Sequence, residues 1–344
     1  MRIFVGEFVC GGGFAQQPIS KIPQGLRQEG SAMLKAVSLD LAQIAEVVAA
    51  VDPRLGIKLD HVETVAIDLG QAILGQWIAA ARDCDAALIV APESDGVLAK
   101  AVGMLRAAGV DVIAGSADFL RTASDKLLTA KTLHAARVAH PPFLAKSDNR
   151  FDNEMEGFAR YVMKPRDGCG TQEIRIFDSL AKAKAELTDG LLLQPWIPGQ
   201  PISVSLVASG SHQTFLPAVH QNICSETCGY AGGSGPLDDD AQRRATALAA
   251  LAVNAISNAR GFVGVDLILG ERPSDDVVIE INPRLTTSYV GLRKMISGNL
   301  AARLFDLETG PVACSHAVDS VRWTTDGQVW INDIPVNETV ADHV

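Results

Sequence analysis

The sequence predicts an α/β protein of two or three domains, and three observations lead to this prediction. The chain has 344 residues, which is too long for one small core. Its first third alternates apolar strand segments with helical periods, a pattern typical of a parallel sheet. Its remainder carries hairpin signals and two adjacent apolar strands, which favour antiparallel sheets.

The first 116 residues predict a parallel unit. The segment "RIFVGEF" predicts a strand that enters a glycine turn, and apolar residues at helical spacing from 29 to 51 predict a helix that Pro53 ends. A strand "DAALIVAP", a helix "SDGVLAKAVGMLRAAG" and a strand "VDVIAGS" follow. Strands that are connected by helices at this spacing form right-handed parallel units.

The middle of the chain predicts a helix and a small hairpin. The segment "TASDKLLTAKTLHAARV" has helical spacing, with Ser124 or Asp125 as its N-terminal cap. The segment "RYVMKPRDGCGTQEIRIF" predicts two strands around a glycine loop, and "LLLQPWIPGQPISVSLVA" predicts a strand that a proline-rich turn interrupts.

The last part of the chain predicts a second set of strands with one long loop. The segment "HQNICSETCGYAGGSGPLDDD" is polar and glycine-rich, so we expect a loop there, followed by a helix in "DAQRRATALAALAVNAISNAR". The segments "GFVGVDLILG" and "DVVIEINP" predict adjacent strands that can pair antiparallel. Asp326 and Gly327 between alternating residues predict a terminal hairpin.

The composition excludes several classes of protein. Hydrophobic residues make up 47% of the chain and charged residues 20%, which is globular rather than disordered. The formal net charge of -10 argues against a nucleic-acid-binding surface. No apolar run suits a membrane span, the start lacks a signal-peptide pattern, and six cysteines in this length are not a disulfide framework. We therefore expect a cytoplasmic protein that binds neither nucleic acid nor a membrane.

A group of polar residues interrupts two apolar strands late in the chain. Glu280 and Asn282 lie on the same side of "VIEINPR", and Asp266 can face them from the neighbouring strand. Two carboxylates and an amide oxygen suit Mg²⁺, and Arg284 can offer a forked donor to a phosphoryl oxygen. Solvated polar residues at a sheet edge are the alternative, which the apolar neighbours disfavour.

Two lysines and a glycine loop add a phosphate-binding pattern upstream. Lys164 ends the strand "YVMK", and the following loop contains Gly168 and Gly170, so its backbone N–H groups can lie over phosphates. Lys126 starts a helix, where the helix dipole does not favour a positive charge, and this placement suggests a functional reason. An ordinary surface position is the alternative for each lysine.

The order of these motifs resembles the ATP-grasp superfamily from about Ser124 to Gly298. A lysine is followed by "MKPRDGCGTQ", "LQPWIPGQPISVS", "VDLIL" and "IEINPRLTTS", as in that family. The resemblance implies an α/β protein with the ATP-grasp fold. Its expected parts are an N-terminal parallel α/β substrate domain at 1–116, a small α+β lid domain at 117–200, a C-terminal antiparallel-sheet domain with the metal site at 201–310, and a hairpin tail at 311–344.

The same resemblance implies roles for individual residues. Lys126 and Lys164 would bind the phosphates of ATP, and Arg284 would steady the transferring phosphoryl group. Two Mg²⁺ ions, or Mn²⁺ in their place, would be held by Asp266, Glu280 and Asn282. The adenine pocket would be lined by Gln194, Pro195, Trp196 and Ile197, although Trp196 can equally pack a turn. Many relatives carry an acidic ribose ligand where this chain has "GQPIS", so Ser203 is the substitute candidate.

The N-terminal half narrows the resemblance. The segments "GEFVCGGG" and "QGLRQEGSAMLKAVSLDL" look like those of the tyramine–glutamate ligases of methanofuran biosynthesis and their bacterial methylofuran relatives. That similarity implies an ATP-dependent carboxylate–amine ligase, which joins L-glutamate to tyramine or tyrosine through an acyl phosphate and releases ADP. The implied partners are these small molecules, and a homodimer is the assembly to test.

Four residues are candidates for contact with the substrates. Ligands lie at the carboxyl ends of parallel strands, so Glu7 is the candidate for a substrate ammonium group. Arg293 is the candidate for the glutamate carboxylate, and Tyr230 and Gly233 lie in the glycine-rich loop. A strand-to-helix turn is the alternative for Glu7, and a flexible loop for the other two. A ligase for other amino acids or dipeptides, and a nucleotide-binding regulator without turnover, are the alternative functions.

Overall fold

The computed structural model describes residues 1–168, 173–210 and 212–336. Gly170, which the sequence predicts to lie in the phosphate-binding loop, falls outside these ranges. Among the described residues, no helix has both the length and the apolar character needed to cross a membrane.

The N-terminal unit is a parallel sheet with helices on both faces. Its elements are β1 (Arg2–Glu7), α1 (Gln24–Leu41), β2 (Glu46–Val51), β3 (Glu63–Ala66), α2 (Ile73–Ala81), β4 (Ala86–Val90) and α3 (Val97–Ala107). The strand order is β3–β2–β1–β4, and every neighbouring pair is parallel, as predicted. Ile3 packs on the α1 side, whereas Phe4 packs against Trp77 of α2 on the other side. The predicted strand "VDVIAGS" is a bridge between Ala87 and Val112.

The predicted helix over 29–51 is instead a helix followed by a strand. α1 ends at Leu41, and β2 lies parallel to β1 with Val47 opposite Ile3. The cause is that "EVVAAV" is apolar on both faces, and such a run fits a buried strand as well as a helix. Burial between two helical layers then favours β-branched residues in an extended chain.

A small antiparallel unit follows two helices. Its elements are α4 (Ala117–Ala123), α5 (Lys126–Ala135), β5 (Tyr161–Pro165), β6 (Arg175–Phe177), α6 (Leu180–Glu186) and β7 (Leu191–Pro195). The strands are ordered β6–β5–β7, so the predicted hairpin around the glycine loop is confirmed. The predicted helix is confirmed as α5, whose predicted cap Asp125 accepts hydrogen bonds from the backbone N–H groups of Leu127 and Leu128. The helix α4, which ends before this cap, was not predicted.

The C-terminal part is built on an antiparallel sheet ordered β13–β12–β8–β10–β11–β14–β15–β16, with β9 paired to β8. Its elements are β8 (Gln200–Ser209), β9 (His212–Phe215), β10 (Val219–Ile223), β11 (Tyr230–Gly235), α7 (Asp239–Asn254), β12 (Gly261–Leu269), β13 (Val277–Asn282), α8 (Ser288–Met295), α9 (Leu300–Leu304), β14 (Val321–Trp323), β15 (Val329–Ile331) and β16 (Ile334–Pro335). The predicted terminal hairpin is β14–β15, and it continues this sheet through β11. The predicted domain boundaries stay a prediction.

The predicted glycine-rich loop contains a strand pair, β10 and β11. The glycines of β11 serve packing, because a Cβ on Gly233 would lie 2.4 Å from the ring of Trp323. The Trp323 indole N–H donates to the hydroxyl of Tyr230 at 3.2 Å. The two proposed substrate residues of this segment are therefore packed against Trp323, which the alternation of β14 turns inward.

A buried ion pair connects the N-terminal unit to the C-terminal sheet. Arg293 of α8 donates from Nε to Asp40 of α1 at 2.9 Å, and Tyr289 donates its hydroxyl to the same carboxylate at 2.6 Å. The side chains of Arg293 and Asp40 are only 4% and 8% exposed. The structure therefore corrects the prediction that Arg293 meets a glutamate carboxylate, because its guanidinium is engaged by a protein carboxylate inside the core.

We predict that Asp40→Asn destabilises the fold strongly. Removing one partner of a buried pair leaves the Arg293 charge uncompensated, which costs about 3–5 kcal/mol. Urea unfolding should show this loss, whereas Asp118→Asn, which breaks an exposed pair with Arg121, should leave the transition almost unchanged. Equal, small effects from both variants would contradict this view of the buried cluster.

Candidate active site

Three polar side chains meet on the strand pair β12–β13. The antiparallel register sets Asp266 directly opposite Glu280 and Gly264 opposite Asn282. The Asn282 side-chain amide donates to Asp266 at 3.0 Å. The structure thus brings together the three residues that the strand alternation predicts to share one side.

Two residues from neighbouring strands hold the Asp266 carboxylate. Gln221 of β10 donates to its Oδ1 at 2.9 Å, and the buried hydroxyl of Ser203, the partner of Asp266 on β8, hydrogen-bonds to it as well. Ser203 was the candidate for a ribose contact, but its hydroxyl supports the carboxylate instead. Sequence analysis missed Gln221, because it lies in the segment predicted as a loop.

Two lysines approach these carboxylates from other elements. Lys126, at the start of α5, places its ammonium nitrogen 3.3 Å from Oε2 of Glu280. The same ammonium group donates to the backbone oxygen of Gly168, in the loop that follows β5. Lys164, in β5, is 7% exposed and lies within electrostatic range of Glu280. The helix, the small sheet and the large sheet therefore converge at this point.

Burial and charge shift the pKa values of these groups in opposite directions. Burial, reinforced by the charge of Glu280, raises the pKa of Asp266 to about 7. Burial also acts to raise the pKa of Glu280, but Lys126 and Lys164 hold it below its ordinary value. Burial lowers the pKa of Lys164 to about 8, although Glu280 opposes this shift. The lysines therefore offset the charge of Glu280, whereas they do not offset that of Asp266.

This donor set fits a divalent cation that takes some of its oxygen ligands from the protein and others from phosphate. Asp266, Glu280 and Asn282 offer two carboxylates and one amide oxygen, all hard ligands. Among the described residues, no group of three or more histidine, cysteine or acidic side chains forms a complete metal cage. Mg²⁺ suits such an open set, because it commonly uses one or two protein carboxylates and takes further oxygens from phosphates and water.

The predicted adenine segment lies at the end of β7. Gln194 and Pro195 are buried in the strand, and Ile197 is half-buried in the turn after it. The backbone N–H of Trp196 donates to the backbone carbonyl oxygen of Arg160 at 2.8 Å, and the Arg160 guanidinium lies 4.3 Å from the Trp196 ring centre. Trp196 thus packs under a cation, and its contact with adenine stays a prediction.

The predicted ammonium contact, Glu7, lies buried at the carboxyl end of β1. Its carboxylate accepts a hydrogen bond from the backbone of Cys10 at 2.7 Å, and a Cβ on Gly30 would lie 2.8 Å from the same oxygen. Burial raises the pKa of Glu7, and the negative charge of Glu29 raises it further. This geometry favours the alternative noted above, in which Glu7 holds the turn that follows the strand.

Arg284 pairs with a residue that sequence analysis missed. Its Nε lies 2.9 Å from Oε1 of Glu93, its Nη2 donates to Oε2 at 3.1 Å, and its Nη1 donates to the backbone of Leu285 at 3.2 Å. Glu93 follows β4 in the N-terminal unit and lies 191 positions away in sequence. No local pattern in the sequence could have indicated a contact across this distance.

Comparison with known proteins places this geometry in a family. A model of the ATP-grasp domain matches residues 123–288, and a model of the pre ATP-grasp 3 domain matches residues 45–118. The chain contains an ATP-grasp domain. The polar strand pair, both lysines and the buried strand β7 all lie within the matched ATP-grasp segment. This fold implies the use of ATP with a divalent metal.

Curated relatives of this protein include tyramine–L-glutamate ligases. That of Methanocaldococcus jannaschii is 29% identical over 213 residues, which cover 62% of this chain and 59% of the relative. That of Methanocaldococcus fervens is 27% identical over 209 residues, which cover 61% of this chain and 62% of the relative. The chain spans about three fifths of the length of the curated relatives it matches.

Solved structures confirm the predicted fold. An ATP-grasp superfamily protein from Archaeoglobus fulgidus superposes with a TM-score of 0.71 at 24% identity, covering 94% of this chain and 92% of that one. A biotin carboxylase from Campylobacter jejuni gives a TM-score of 0.68 at 14% identity, over 93% and 74% of the two chains. An L-amino acid ligase from Bacillus licheniformis gives 0.65 at 13% identity, over 93% and 78%. At these identities the likeness concerns the fold alone.

We predict that the affinity of this protein for Mg·ATP has a maximum near neutral pH. A divalent cation needs Asp266 deprotonated, so affinity should rise as pH increases through about 7, and it should fall above about 8 as Lys164 loses its charge. Isothermal titration calorimetry at a series of pH values across this range measures both the rise in affinity on the acid side and the fall on the basic side.

Two variants assign the limbs of this profile. Asp266→Asn should flatten the acid limb, apart from the titration of ATP itself, and Lys164→Gln should flatten the basic limb. Profiles of both variants that are parallel to wild type would contradict the assignment.

Proposed function

We propose that this protein is an ADP-forming carboxylate–amine ligase. The observation that carries the proposal is the convergence of Asp266, Glu280 and Asn282 with two lysines from separate elements. The carboxylates can bind the metal of a metal–triphosphate complex, and the lysines beside them can bind its phosphates. The names of the curated relatives support the same class of reaction.

The residues then divide between nucleotide and metal. Asp266, Glu280 and Asn282 would hold Mg²⁺, in our proposal two ions, and Mn²⁺ could replace them. When bound, the metal would neutralise phosphate charge during transfer. Lys126 and Lys164 would contact the phosphates, and the loop that contains Gly168 would lie over them. The end of β7 from Gln194 to Ile197 would line the adenine.

The proposed reaction consists of two successive displacements. An oxygen of the substrate carboxylate bonds to the γ-phosphorus of ATP while the bond to the ADP oxygen breaks, giving an acyl phosphate. The amine nitrogen then bonds to the acyl carbon, phosphate departs, and the nitrogen loses a proton to give the amide. Arg284 would offer its donors to the moving phosphoryl group. Because positioning and charge drive both steps, no covalent enzyme nucleophile is required.

The proposed substrates are L-glutamate as the acid and tyramine or tyrosine as the amine. The substrates in the names of the two curated relatives support this choice. A ligase for other amino acids or dipeptides, which would use the same nucleotide and metal site, is the second candidate. A cytoplasmic location and a homodimer stay predictions.

We predict an amide product from this pair. The protein with ATP, Mg²⁺, glutamate and either tyramine or tyrosine should release ADP and phosphate and form γ- or α-glutamyl tyramine, or the tyrosine equivalent, detectable by mass spectrometry. Each reaction runs beside one without amine and one with a panel of other amino acids. An amide only from the panel would replace the proposed substrates and keep the ligase. Nucleotide binding without ADP release from any pair would favour a regulator and contradict the ligase.

We predict that Glu280→Gln lowers turnover by at least about a hundredfold, since a lost charge contact of this kind costs a few kcal/mol in the transition state. The matched control is Glu271→Gln, on the exposed turn between β12 and β13, which should keep wild-type turnover. Steady-state ADP release measures both variants. Turnover of Glu280→Gln within about threefold of the control would rule out the metal assignment.

A further inference from the structure

A short turn of the N-terminal unit contacts the candidate site from outside the ATP-grasp segment. This turn, residues 92–96, directly follows β4 at the carboxyl end of the parallel sheet. Its Glu93 side chain is 5% exposed, and the Arg284 side chain that it contacts is 13% exposed. A carboxylate this deeply buried is stable only when it is paired, and its partner here is an arginine of the other unit.

We propose that Glu93 is a positioning residue, which orients the guanidinium of Arg284 for phosphoryl transfer. The inference rests on the proposed function. It gives the N-terminal unit a role in positioning a residue of the ATP-grasp segment. Glu93 acts through Arg284 and does not itself contact the reacting atoms in this proposal.

The geometry of the contact supports orientation rather than simple attraction. Nη2 donates to Oε2 at 3.1 Å, and Nε lies 2.9 Å from Oε1 as an ion-pair contact on the same edge of the guanidinium. One hydrogen bond and one close ionic contact together restrict the rotation of the group as well as its position. The bond from Nη1 to the backbone of Leu285 anchors the other side of the same plane. The orientation of Arg284 therefore depends on a residue of each unit.

The same turn also contacts the small antiparallel unit. The backbone N–H of Asp95 donates to the carboxylate of Asp167 at 3.1 Å. Asp167 precedes Gly168, whose carbonyl oxygen accepts from Lys126. The turn thus lies between Arg284 and the loop proposed to cover the phosphates. This location is suited to aligning the arginine with the nucleotide.

A tether between units is the competing explanation, and the chain supplies a matched control for it. Asp111 of the N-terminal unit pairs with Arg260 through two contacts of 2.6 and 2.8 Å, also across the two units. This pair is half-exposed and belongs to no part of the candidate site. Asp111→Asn therefore removes a comparable contact between units without touching the catalytic residues.

The experiment compares the steady-state kinetics of Glu93→Gln and Asp111→Asn, with thermal unfolding of each. Glu93→Gln should lower kcat by about tenfold or more with the KM for Mg·ATP nearly unchanged, because a misplacement near 1 Å can cost up to about a hundredfold. Asp111→Asn should keep wild-type kcat. In a double-variant cycle, Glu93→Gln should slow the Arg284→Gln enzyme no further.

Three outcomes separate this inference from the proposed function. Equal loss of kcat in both variants, in step with their unfolding temperatures, would identify Glu93 as a tether and overturn the inference. A wild-type level of kcat in Glu93→Gln would also overturn it. If wild-type protein releases no ADP, the ligase proposal fails, and crystal structures of wild type and Glu93→Gln decide the inference by themselves. A displaced Arg284 guanidinium supports positioning, and an unmoved one refutes it.

Discussion

The pairing of Asp266 with Glu280 across β12–β13 is the constraint on which the site depends. Antiparallel register sets two carboxylates opposite each other inside a sheet that α7 covers on one face. Like charges in such a position repel, and burial adds a desolvation cost for each. The arrangement is tolerated because Lys126 and Lys164 lie nearby, and each belongs to an element outside this sheet. The lysines of α5 and β5 thus offset part of the negative charge of this strand pair.

Contacts between the units give the N-terminal sheet a structural role in the same site. The buried pair of Asp40 and Arg293 holds α1 against α8, and α8 directly follows the loop that carries Arg284. The pair of Glu93 and Arg284 joins the same loop to the turn after β4. Both pairs fix the segment after β13 from the N-terminal side.

The sequence predicts those parts of the site whose signal is local. Alternation along "VIEINPR" placed Glu280 and Asn282 on one side, and the short turn before it predicted the partner strand with Asp266. Asp125 was recognisable as a cap because capping depends on the next three residues. Glu93 and Gln221 had no such signal, since their contacts join segments that only the tertiary fold brings together. The strand β11 was missed for a different reason. Its glycines resemble those of a loop until the indole of Trp323, packed against Gly233, shows what occupies the space.

Two of the buried ionic clusters differ in whether their negative charge is matched within the protein. In the first cluster, the carboxylate of Asp40 faces the guanidinium of Arg293 and a tyrosine hydroxyl, so the negative charge is matched within the protein. In the second, Asp266 receives neutral donors from Gln221 and Asn282 while facing another carboxylate, and its pKa is raised. Neutral hydrogen bonds orient a carboxylate without cancelling its charge. In the proposed function, a bound cation would offset the charge of the second cluster, and the lysines beside it would contact the phosphates that accompany such a cation.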